Sequence, residues 1–150
     1  MKINLFERTL GSGFFTGYIP FAPGTFGSLM ALAIYLIPGF ENPTILLIFI
    51  SLFSIIGIHV GNKFEKVYGK DPAQCTIDEM VGMWITLLFI PKYIWYILFV
   101  FFIWRILDII KPFLANIFEK INGGWGIMLD DIMAGLYSLI LVHIIIYLIN

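Results

Sequence analysis

Long runs of residues without a single charge dominate the chain, and their lengths predict its helices. The runs Thr44 to Gly61 and Ile132 to Ile149 each contain eighteen residues, most of them apolar. A helix needs roughly 20 such residues to cross the hydrocarbon core of a membrane, so both runs predict spanning helices. A third run, Phe26 to Ile37, is shorter and needs residues 17–25 inside the membrane to reach across.

The apolar stretch from Met80 to Trp104 is interrupted by Pro91-Lys92. We interpret this stretch as a hairpin of two short helices, about Asp78 to Ile90 and Tyr93 to Lys111, because proline interrupts a regular helix. The alternative is one tilted span that is kinked at the proline. Gly57 and Gly61 form a small-xxx-small pair, which favours close packing between helices in lipid.

The N-terminal segment predicts an amphipathic helix that lies at the membrane surface, because apolar Leu5 and Phe6 stand beside charged Glu7 and Arg8. It lacks the apolar core and the small-residue cleavage site of a secretory signal, so we expect it to remain part of the protein. The predicted fold class is therefore all-α. We expect a polytopic integral membrane bundle of about four to five apolar helices, forming a single domain over residues 1–150.

Composition agrees with this pattern and excludes several classes of protein. Of the 150 residues, 60% are hydrophobic and 13% are charged, and the mean hydropathy is +0.95. Soluble domains carry about 25% charged residues, so neither a soluble domain nor a disordered chain fits. The net charge of −1 provides no basic field for nucleic acid, and the single Cys75 cannot form an internal disulfide.

Charged residues indicate the orientation of the bundle. The hairpin interpretation leaves Lys92 alone on one side of the membrane and puts Glu41 there as the one acid. The remaining cations fall together on the other side: Lys2, Arg8, Lys63, Lys66, Lys70, Arg105, Lys111 and Lys120. The side that is rich in Lys and Arg is predicted to be cytoplasmic. The polar chemistry thus gathers at one membrane face, which favours the hairpin over the kinked span.

Carboxylates beside lipid are the main candidates for chemistry, because their burial is costly and usually serves a function. Asp78-Glu79 is predicted to open one helix and Asp130-Asp131 to open the last, while Asp108 lies near the end of another. Capping of helix N-termini is the alternative role for such acids. We prefer a shared site, because five carboxylates suit a hard cation such as Mg²⁺, although the ligand set does not select Mg²⁺ over Mn²⁺.

Arg105, Asp108 and Lys111 recur every three positions and therefore share one face of a helix. An internal ladder of ion pairs explains this spacing. The functional interpretation is a metal-binding carboxylate between two cations that hold a phosphate. His59 and His143 lie in apolar runs, where a helix-packing role is the simpler explanation.

The glycine-rich stretch from Pro23 to Ser28 leads into a helix, and its backbone amides can hold a phosphate. A turn at the point of membrane entry explains Gly24 and Gly27 equally well. The stretch lacks the lysine of a nucleotide-binding P-loop, so that assignment is rejected.

Four motifs together carry a resemblance to a known family. They are PGTFGSL at Pro23–Leu29, IDEMVGMW at Ile77–Trp84, RILDIIKP at Arg105–Pro112 and GGWGIMLDDIMAG at Gly123–Gly135. In this order and spacing, the chain resembles the bacterial phosphatidylglycerophosphatase A enzymes from about Gly11 to Tyr137. The resemblance implies a Mg²⁺-dependent phosphatase of the bacterial inner membrane with its site on the cytoplasmic face. Its substrate would be phosphatidylglycerophosphate, which yields phosphatidylglycerol and inorganic phosphate.

With this resemblance we predict roles for the candidate residues. Asp131 is the first choice as base or nucleophile, which leaves direct attack by water and a phospho-aspartate intermediate as alternatives. Arg105 and Lys111 are expected to neutralise the phosphate. Thr25 and the amides of Gly24 and Gly27 are expected to complete the phosphate cradle. The predicted metal ligands are Asp78, Glu79, Asp108, Asp130 and Asp131.

Two other functions use membrane carboxylates. A small cation transporter or channel subunit is the alternative, although it would favour charges in the middle of a span. A phosphotransferase acting on a nucleotide-activated lipid would need a different Asp/Gly/Arg signature, which this sequence does not contain. The oligomeric state is left open.

Overall fold

The structure is a computed structural model that describes residues 2–150, so Met1 of the predicted N-terminal segment lies outside the described residues. Residues 2–150 contain seven α-helices and no β-strand, which confirms the all-α prediction. The helices are α1 (Leu5–Gly11), α2 (Pro23–Tyr35), α3 (Pro43–Tyr68), α4 (Ile77–Thr86), α5 (Ile94–Ile110), α6 (Phe113–Phe118) and α7 (Gly124–Ile149). A single 3₁₀ turn, Thr16–Tyr18, lies between α1 and α2.

Helices α3 and α7 are long and apolar enough to cross a membrane, with 26 residues each. Only 28% of the most apolar part of α3 and 22% of that of α7 are buried within the protein. The core helix of a soluble protein would be mostly buried, so these outward-facing apolar surfaces need an apolar medium. The two long charge-free runs are thus confirmed as helices, and two of the four to five predicted spans are long enough to cross.

The start of α7 differs from the prediction. The helix begins at Gly124 rather than after the Asp130-Asp131 pair, which therefore lies well inside α7. The reason is tertiary: Asn62 Oδ1 on α3 accepts a hydrogen bond of 2.8 Å from the Gly124 N–H, and Glu65 accepts one from Gly123. These side chains satisfy backbone donors that a helix start leaves open. Capping of α7 is consequently not the role of the acidic pair.

The hairpin between α4 and α5 is confirmed. Helix α4 ends at Thr86, about one turn before the predicted Ile90. Phe89 adopts a left-handed conformation with φ of 61°, and Ile90 precedes a proline, which disfavours helical geometry.

Packing between the two arms shows that the chain reverses direction. The Trp104 ring of α5 lies directly against Gly82 of α4. In one continuous helix these residues would be about 33 Å apart, because each residue rises about 1.5 Å. The alternative of a single kinked span is therefore wrong.

Small residues allow α7 to pack closely against its neighbours. A Cβ atom built on Gly61 would lie 2.9 Å from the Cα atom of Gly124, so α3 and α7 touch through their backbones. A Cβ atom on Gly135 would lie 2.9 Å from the carbonyl oxygen of Gly82, so α4 and α7 do the same. The predicted packing role of Gly61 is thus confirmed, and α7 is the helix against which α3 and α4 converge.

Helix α1 turns its acidic residue inward and its first two apolar residues outward. Leu5 and Phe6 are 72% and 66% exposed, whereas Glu7 is buried in an ion pair with Lys63 of α3. The hydrogen bond from Lys63 lowers the pKa of Glu7 below its usual range. Asn4 and Glu7 also form a reciprocal capping box. An outward apolar face is the arrangement expected of a helix at a membrane surface.

Two charged residues mark the end of the bundle opposite the other cations. Lys92 and Glu41 form an ion pair of 2.9 Å beside the start of α3. Lys63 lies toward the other end of α3, which is about 39 Å long at 1.5 Å per residue. This separation agrees with the sorting of charges that the hairpin interpretation predicted.

Replacing Gly82 by alanine is expected to destabilise the protein by about 1–3 kcal/mol, because the new Cβ atom would overlap the rigid Trp104 ring. Gly57→Ala is the matched control, since its Cβ atom would meet only the flexible side chain of Met128. Thermal unfolding in detergent micelles compares the two variants. Equal unfolding temperatures would contradict close packing of Gly82 on Trp104.

Candidate active site

Three carboxylates from two helices meet inside the bundle. Asp78 and Glu79 lie in the first turn of α4, as predicted, and Asp131 comes from α7. One oxygen from each of the three lies within 4.8 Å of the other two. Asp78 and Asp131 are only 5% and 2% exposed. We call these three residues the acidic triad. The close backbone contact between Gly82 and Gly135, one turn further along both helices, holds them together.

The acidic triad contains buried oxygens without a hydrogen-bond partner. They are Asp78 Oδ1, Glu79 Oε2 and Asp131 Oδ2. A buried carboxylate oxygen with no donor is costly, and three of them at one point require protons or a cation. Oxygen ligands of this kind are the ones that Mg²⁺ prefers, so the triad fits a hard divalent cation.

Arg105 and the start of α2 border the triad. Arg105 binds Asp108 through Nη1, while its buried Nε has no partner within residues 2–150. A Cβ atom built on Gly24 would lie 2.6 Å from Glu79 Oε1 and 3.3 Å from Arg105 Nη2. A side chain at position 24 would displace the Glu79 carboxylate. The backbone of Gly24 therefore lies directly beside both an acid of the triad and the guanidinium group.

The Gly24 amide is a further donor group beside this site. The first residue of α2 is Pro23, which has no N–H, and Thr25 N–H already bonds to the Ala22 carbonyl at 3.0 Å. No residue of the described chain accepts from the Gly24 N–H. The guanidinium group and one backbone amide thus form a small set of donors for an anion beside the triad.

Lys111 neutralises a second group of acids. It follows the last residue of α5 in a left-handed conformation, and its Nζ binds Asp130. The same Nζ lies 3.7 Å from Glu119 Oε1 and 4.0 Å from Asp131 Oδ1. Burial disfavours the ammonium ion, but Asp131 and Asp130 outweigh that effect and raise the pKa of Lys111 above its usual range. Lys111 therefore stays charged.

Asp130 does not join the acidic triad. With Asp71 and Glu119 it forms a separate group of carboxylates within 4.8 Å of one another. Adjacent residues of a helix point about 100° apart, so Asp131 faces α4 while Asp130 faces Lys111. Asp71 and Glu119 were missed by sequence analysis, because isolated acids outside the apolar runs look like ordinary surface residues.

The structure divides the five predicted metal ligands among three places. Asp78, Glu79 and Asp131 form the triad, Asp130 binds Lys111, and Asp108 binds Arg105. The predicted set is therefore brought to one region but not to one point.

The predicted phosphate cradle is also only partly assembled. Gly27 packs on Thr76, with a built Cβ atom 2.8 Å from the Thr76 Cβ atom, and not on an acid. The Thr25 side chain forms no hydrogen bond within residues 2–150, and its N–H bonds to the Ala22 carbonyl. Of the three cradle residues, only Gly24 lies against the triad.

Thr76 is a positioning residue that sequence analysis missed. It immediately precedes α4, its Oγ1 lies 3.0 Å from Thr16 Oγ1, and its N–H bonds to the Gly11 carbonyl at 2.9 Å. The N-terminal segment thereby fixes the start of the helix that carries Asp78 and Glu79.

The other candidate residues lie outside the site. His143 Nδ1 is 2.8 Å from the Leu139 carbonyl oxygen of its own helix, which confirms a packing role. His59 is 3.9 Å from Glu7 and is mostly exposed. Burial raises the pKa of the Cys75 thiol, which keeps it in its neutral form.

Charge balance limits what this region can bind. Two cations, Arg105 and Lys111, face seven carboxyl groups: Asp71, Asp78, Glu79, Asp108, Glu119, Asp130 and Asp131. An excess of negative charge repels a phosphate dianion unless a metal ion or protons offset it. The arrangement is thus suited to a phosphate that binds together with a divalent cation.

Comparisons with known proteins agree on one family. The family model described as Phosphatidylglycerophosphatase A matches residues 9–146. The phosphatidylglycerophosphatase A of Escherichia coli is 36% identical over 141 residues, covering 92% of this chain and 82% of that protein. The enzyme of the same name from Haemophilus influenzae is 38% identical over 152 residues, covering 97% and 93%.

A further relative carries a different substrate in its name. A Bacteroides thetaiotaomicron protein named "Putative phosphatidylinositol-3-phosphatase" is 41% identical over 143 residues, covering 90% of both chains. No solved structure matches this chain. The relatives thus share a lipid phosphomonoester in their names but differ in its headgroup.

Replacing Lys111 by methionine is expected to lower the free energy of unfolding by roughly 3–5 kcal/mol, because Asp130 would stay buried without its partner. Lys120→Met is the control, since Lys120 is exposed and only its backbone groups take part in hydrogen bonds. Chemical unfolding in detergent measures both. Equal losses in the two variants would show that the pair between Lys111 and Asp130 adds nothing to stability.

Proposed function

Because the chain belongs to the phosphatidylglycerophosphatase A family and is therefore a phosphoric monoester hydrolase, we propose that it converts phosphatidylglycerophosphate to phosphatidylglycerol and inorganic phosphate. The structural observation that carries this proposal is the acidic triad: three of its oxygens have no hydrogen-bond partner within residues 2–150, and its Glu79 lies beside Arg105 and Gly24. Metal ligands and anion donors side by side are what phosphate-ester hydrolysis requires.

The apolar exterior supports a lipid substrate. Large hydrophobic side chains are exposed along the helices, including Phe102 and Ile109 on α5, the helix that carries Arg105. A phospholipid would keep its acyl chains against such surfaces while its phosphate reaches the charged end of the bundle. We place the protein in the bacterial inner membrane with four to five apolar helices embedded. The gathering of cations at the end that holds the site favours a cytoplasmic active site.

We propose Mg²⁺ as the metal and the acidic triad as its holder, because the triad offers three oxygens that lack donors. When bound, such an ion would polarise the phosphate and lower the pKa of a water molecule. Asp130 is occupied by Lys111 and Asp108 by Arg105, so these two acids support the site by holding its cations.

The residues of the chain suggest how the reaction proceeds. Arg105 and the Gly24 N–H hold the non-bridging phosphate oxygens and orient the phosphorus atom. Asp131 accepts a proton from water as the water oxygen bonds to phosphorus. The bond between phosphorus and the glycerol oxygen breaks, and that oxygen takes up a proton to become the alcohol. Lys111, 4.0 Å from Asp131, offsets the negative charge there.

A phospho-aspartate on Asp131 is the alternative to direct attack by water. In that route the carboxylate oxygen bonds to phosphorus first, and water releases phosphate in a second step. Single turnover in ¹⁸O-labelled water tests the choice. Label in phosphate is expected for direct attack, whereas label left in the protein would establish an intermediate opened at carbon, and inversion at phosphorus excludes one opened at phosphorus.

Purified protein in detergent micelles is expected to release phosphate from phosphatidylglycerophosphate with Mg²⁺ and to stop when EDTA is added. Phosphatidylinositol 3-phosphate is the second candidate substrate, because the Bacteroides relative is named for it. Faster release from that lipid would replace the proposed substrate. Absence of release from folded protein with every lipid and metal would overturn the proposal. Micelles separate no compartments, so turnover in them also argues against the transporter alternative.

Replacing Asp131 by asparagine is expected to lower kcat by about 10²–10⁴-fold, because the proton acceptor is lost. The same change should weaken binding of Mn²⁺, measured by electron paramagnetic resonance, because the triad loses a charged ligand. Glu41→Gln is the control, since Glu41 lies at the opposite end of the bundle. Unchanged Mn²⁺ binding in Asp131→Asn would show that the metal binds elsewhere.

A further inference from the structure

A fully buried hydroxyl group connects the active site to a tryptophan on another helix. Ser28 Oγ donates a hydrogen bond of 2.9 Å to the carbonyl oxygen of Gly24, one turn earlier in α2. The same Oγ accepts a hydrogen bond of 2.9 Å from Nε1 of Trp104 on α5. Both side chains are fully buried. We call this series of two hydrogen bonds the Trp104–Ser28–Gly24 relay.

Gly24, at the end of the relay, depends on contacts with other residues to hold its backbone in place. Gly24 has no side chain, and glycine has more backbone freedom than any other residue. It nevertheless occupies the narrow space between Glu79 and Arg105, with its N–H open. A serine hydroxyl that bonds to the carbonyl four residues earlier adjusts the local direction of a helix. Ser28 therefore influences how the first turn of α2 faces the triad.

Trp104 connects the relay to α4 and to Arg105 on α5, which form the other two sides of the site. Its ring lies against Gly82 on α4, the helix whose first turn carries Asp78 and Glu79. It also directly precedes Arg105 in the chain. One rigid indole thus contacts α4, bonds to α2 and belongs to α5. These are three of the helices that supply residues to the site.

We propose that Trp104 and Ser28 are positioning residues for phosphate hydrolysis, because their relay holds the Gly24 carbonyl and thereby restrains the first turn of α2 beside Glu79 and Arg105. Their contribution is the alignment of the phosphate for attack, and neither residue touches the substrate. This inference rests on the function proposed above. Misplacement of a substrate by about 1 Å can cost up to 10²-fold in rate, so such alignment is measurable.

The chain provides a matched control for loss of the indole hydrogen bond. Trp84 is also fully buried, and its Nε1 donates a hydrogen bond of 2.9 Å to a carbonyl of α2. Its acceptor is Ala31, about two turns beyond Gly24. Trp84→Phe therefore removes an equal bond between the same helix and a neighbour, but away from the active site.

The test compares Trp104→Phe, Ser28→Ala and the double variant with Trp84→Phe, using phosphate release and thermal unfolding in mixed micelles. Each relay variant is expected to lose about tenfold in kcat, with KM changed by less than about twofold. Trp84→Phe should keep kcat within about twofold of the unchanged protein. Equal losses of kcat in Trp104→Phe and Trp84→Phe would overturn the proposal.

The double variant separates positioning from stability. Ser28→Ala alone leaves the buried Trp104 N–H without an acceptor, which is costly, whereas the double variant removes donor and acceptor together. Its unfolding temperature is therefore expected to fall by less than the sum of the two single-variant losses, while kcat stays low. Recovery of kcat together with stability would show that the relay is merely structural.

Hydrogen exchange provides a readout that does not need activity. Amides of Ala22 and of residues 24–28 are expected to exchange faster in Ser28→Ala and Trp104→Phe than in Trp84→Phe, because the first turn of α2 is less restrained. Unchanged exchange in both relay variants would contradict the inference. An unchanged protein that hydrolyses no lipid phosphate would instead contradict the proposed function, so the two failures are distinguishable.

Discussion

The contact between α4 and α7 is the constraint on which the site depends. Gly82 and Gly135 let the two backbones touch, and this contact brings Asp78, Glu79 and Asp131 together. Carboxylates in an apolar bundle repel one another and lose hydration, so their proximity is unfavourable by itself. Helix packing therefore holds together groups that would otherwise separate, which is the property expected of a site built to receive a cation.

Two cations divide the remaining negative charge between them. Arg105 binds Asp108 through Nη1 and holds Nη2 beside Gly24, whereas Lys111 binds Asp130. Each acid thus fixes one cation instead of joining the triad. This arrangement provides both a region that attracts metal and a region that attracts phosphate within one small volume. A metal-assisted phosphoric monoester hydrolase would use both regions to bind its anionic substrate.

The apolar surroundings also explain why an acid of α1 is buried in an ion pair. Glu7 on α1 is buried against Lys63, while its neighbours Leu5 and Phe6 are exposed. In water this pattern would be reversed, because apolar side chains would be buried and charges solvated. Beside lipid, a charge is stabilised only by another part of the protein. The same preference accounts for the buried ion pairs at the active site.

The sequence by itself determined the features that act over a few residues. Charge-free runs predicted α3 and α7, Pro91 predicted the hairpin, and short motifs indicated the family and the acids at its site. Tertiary structure decided the features that join distant residues. It placed Asn62 and Glu65 at the cap of α7, and it set the Trp104–Ser28–Gly24 relay. It also separated Asp130 from the triad and grouped it with Asp71 and Glu119. Helical periodicity defines only which residues share a face. Which faces meet depends on packing between segments that are often more than fifty residues apart, and no local pattern records that choice.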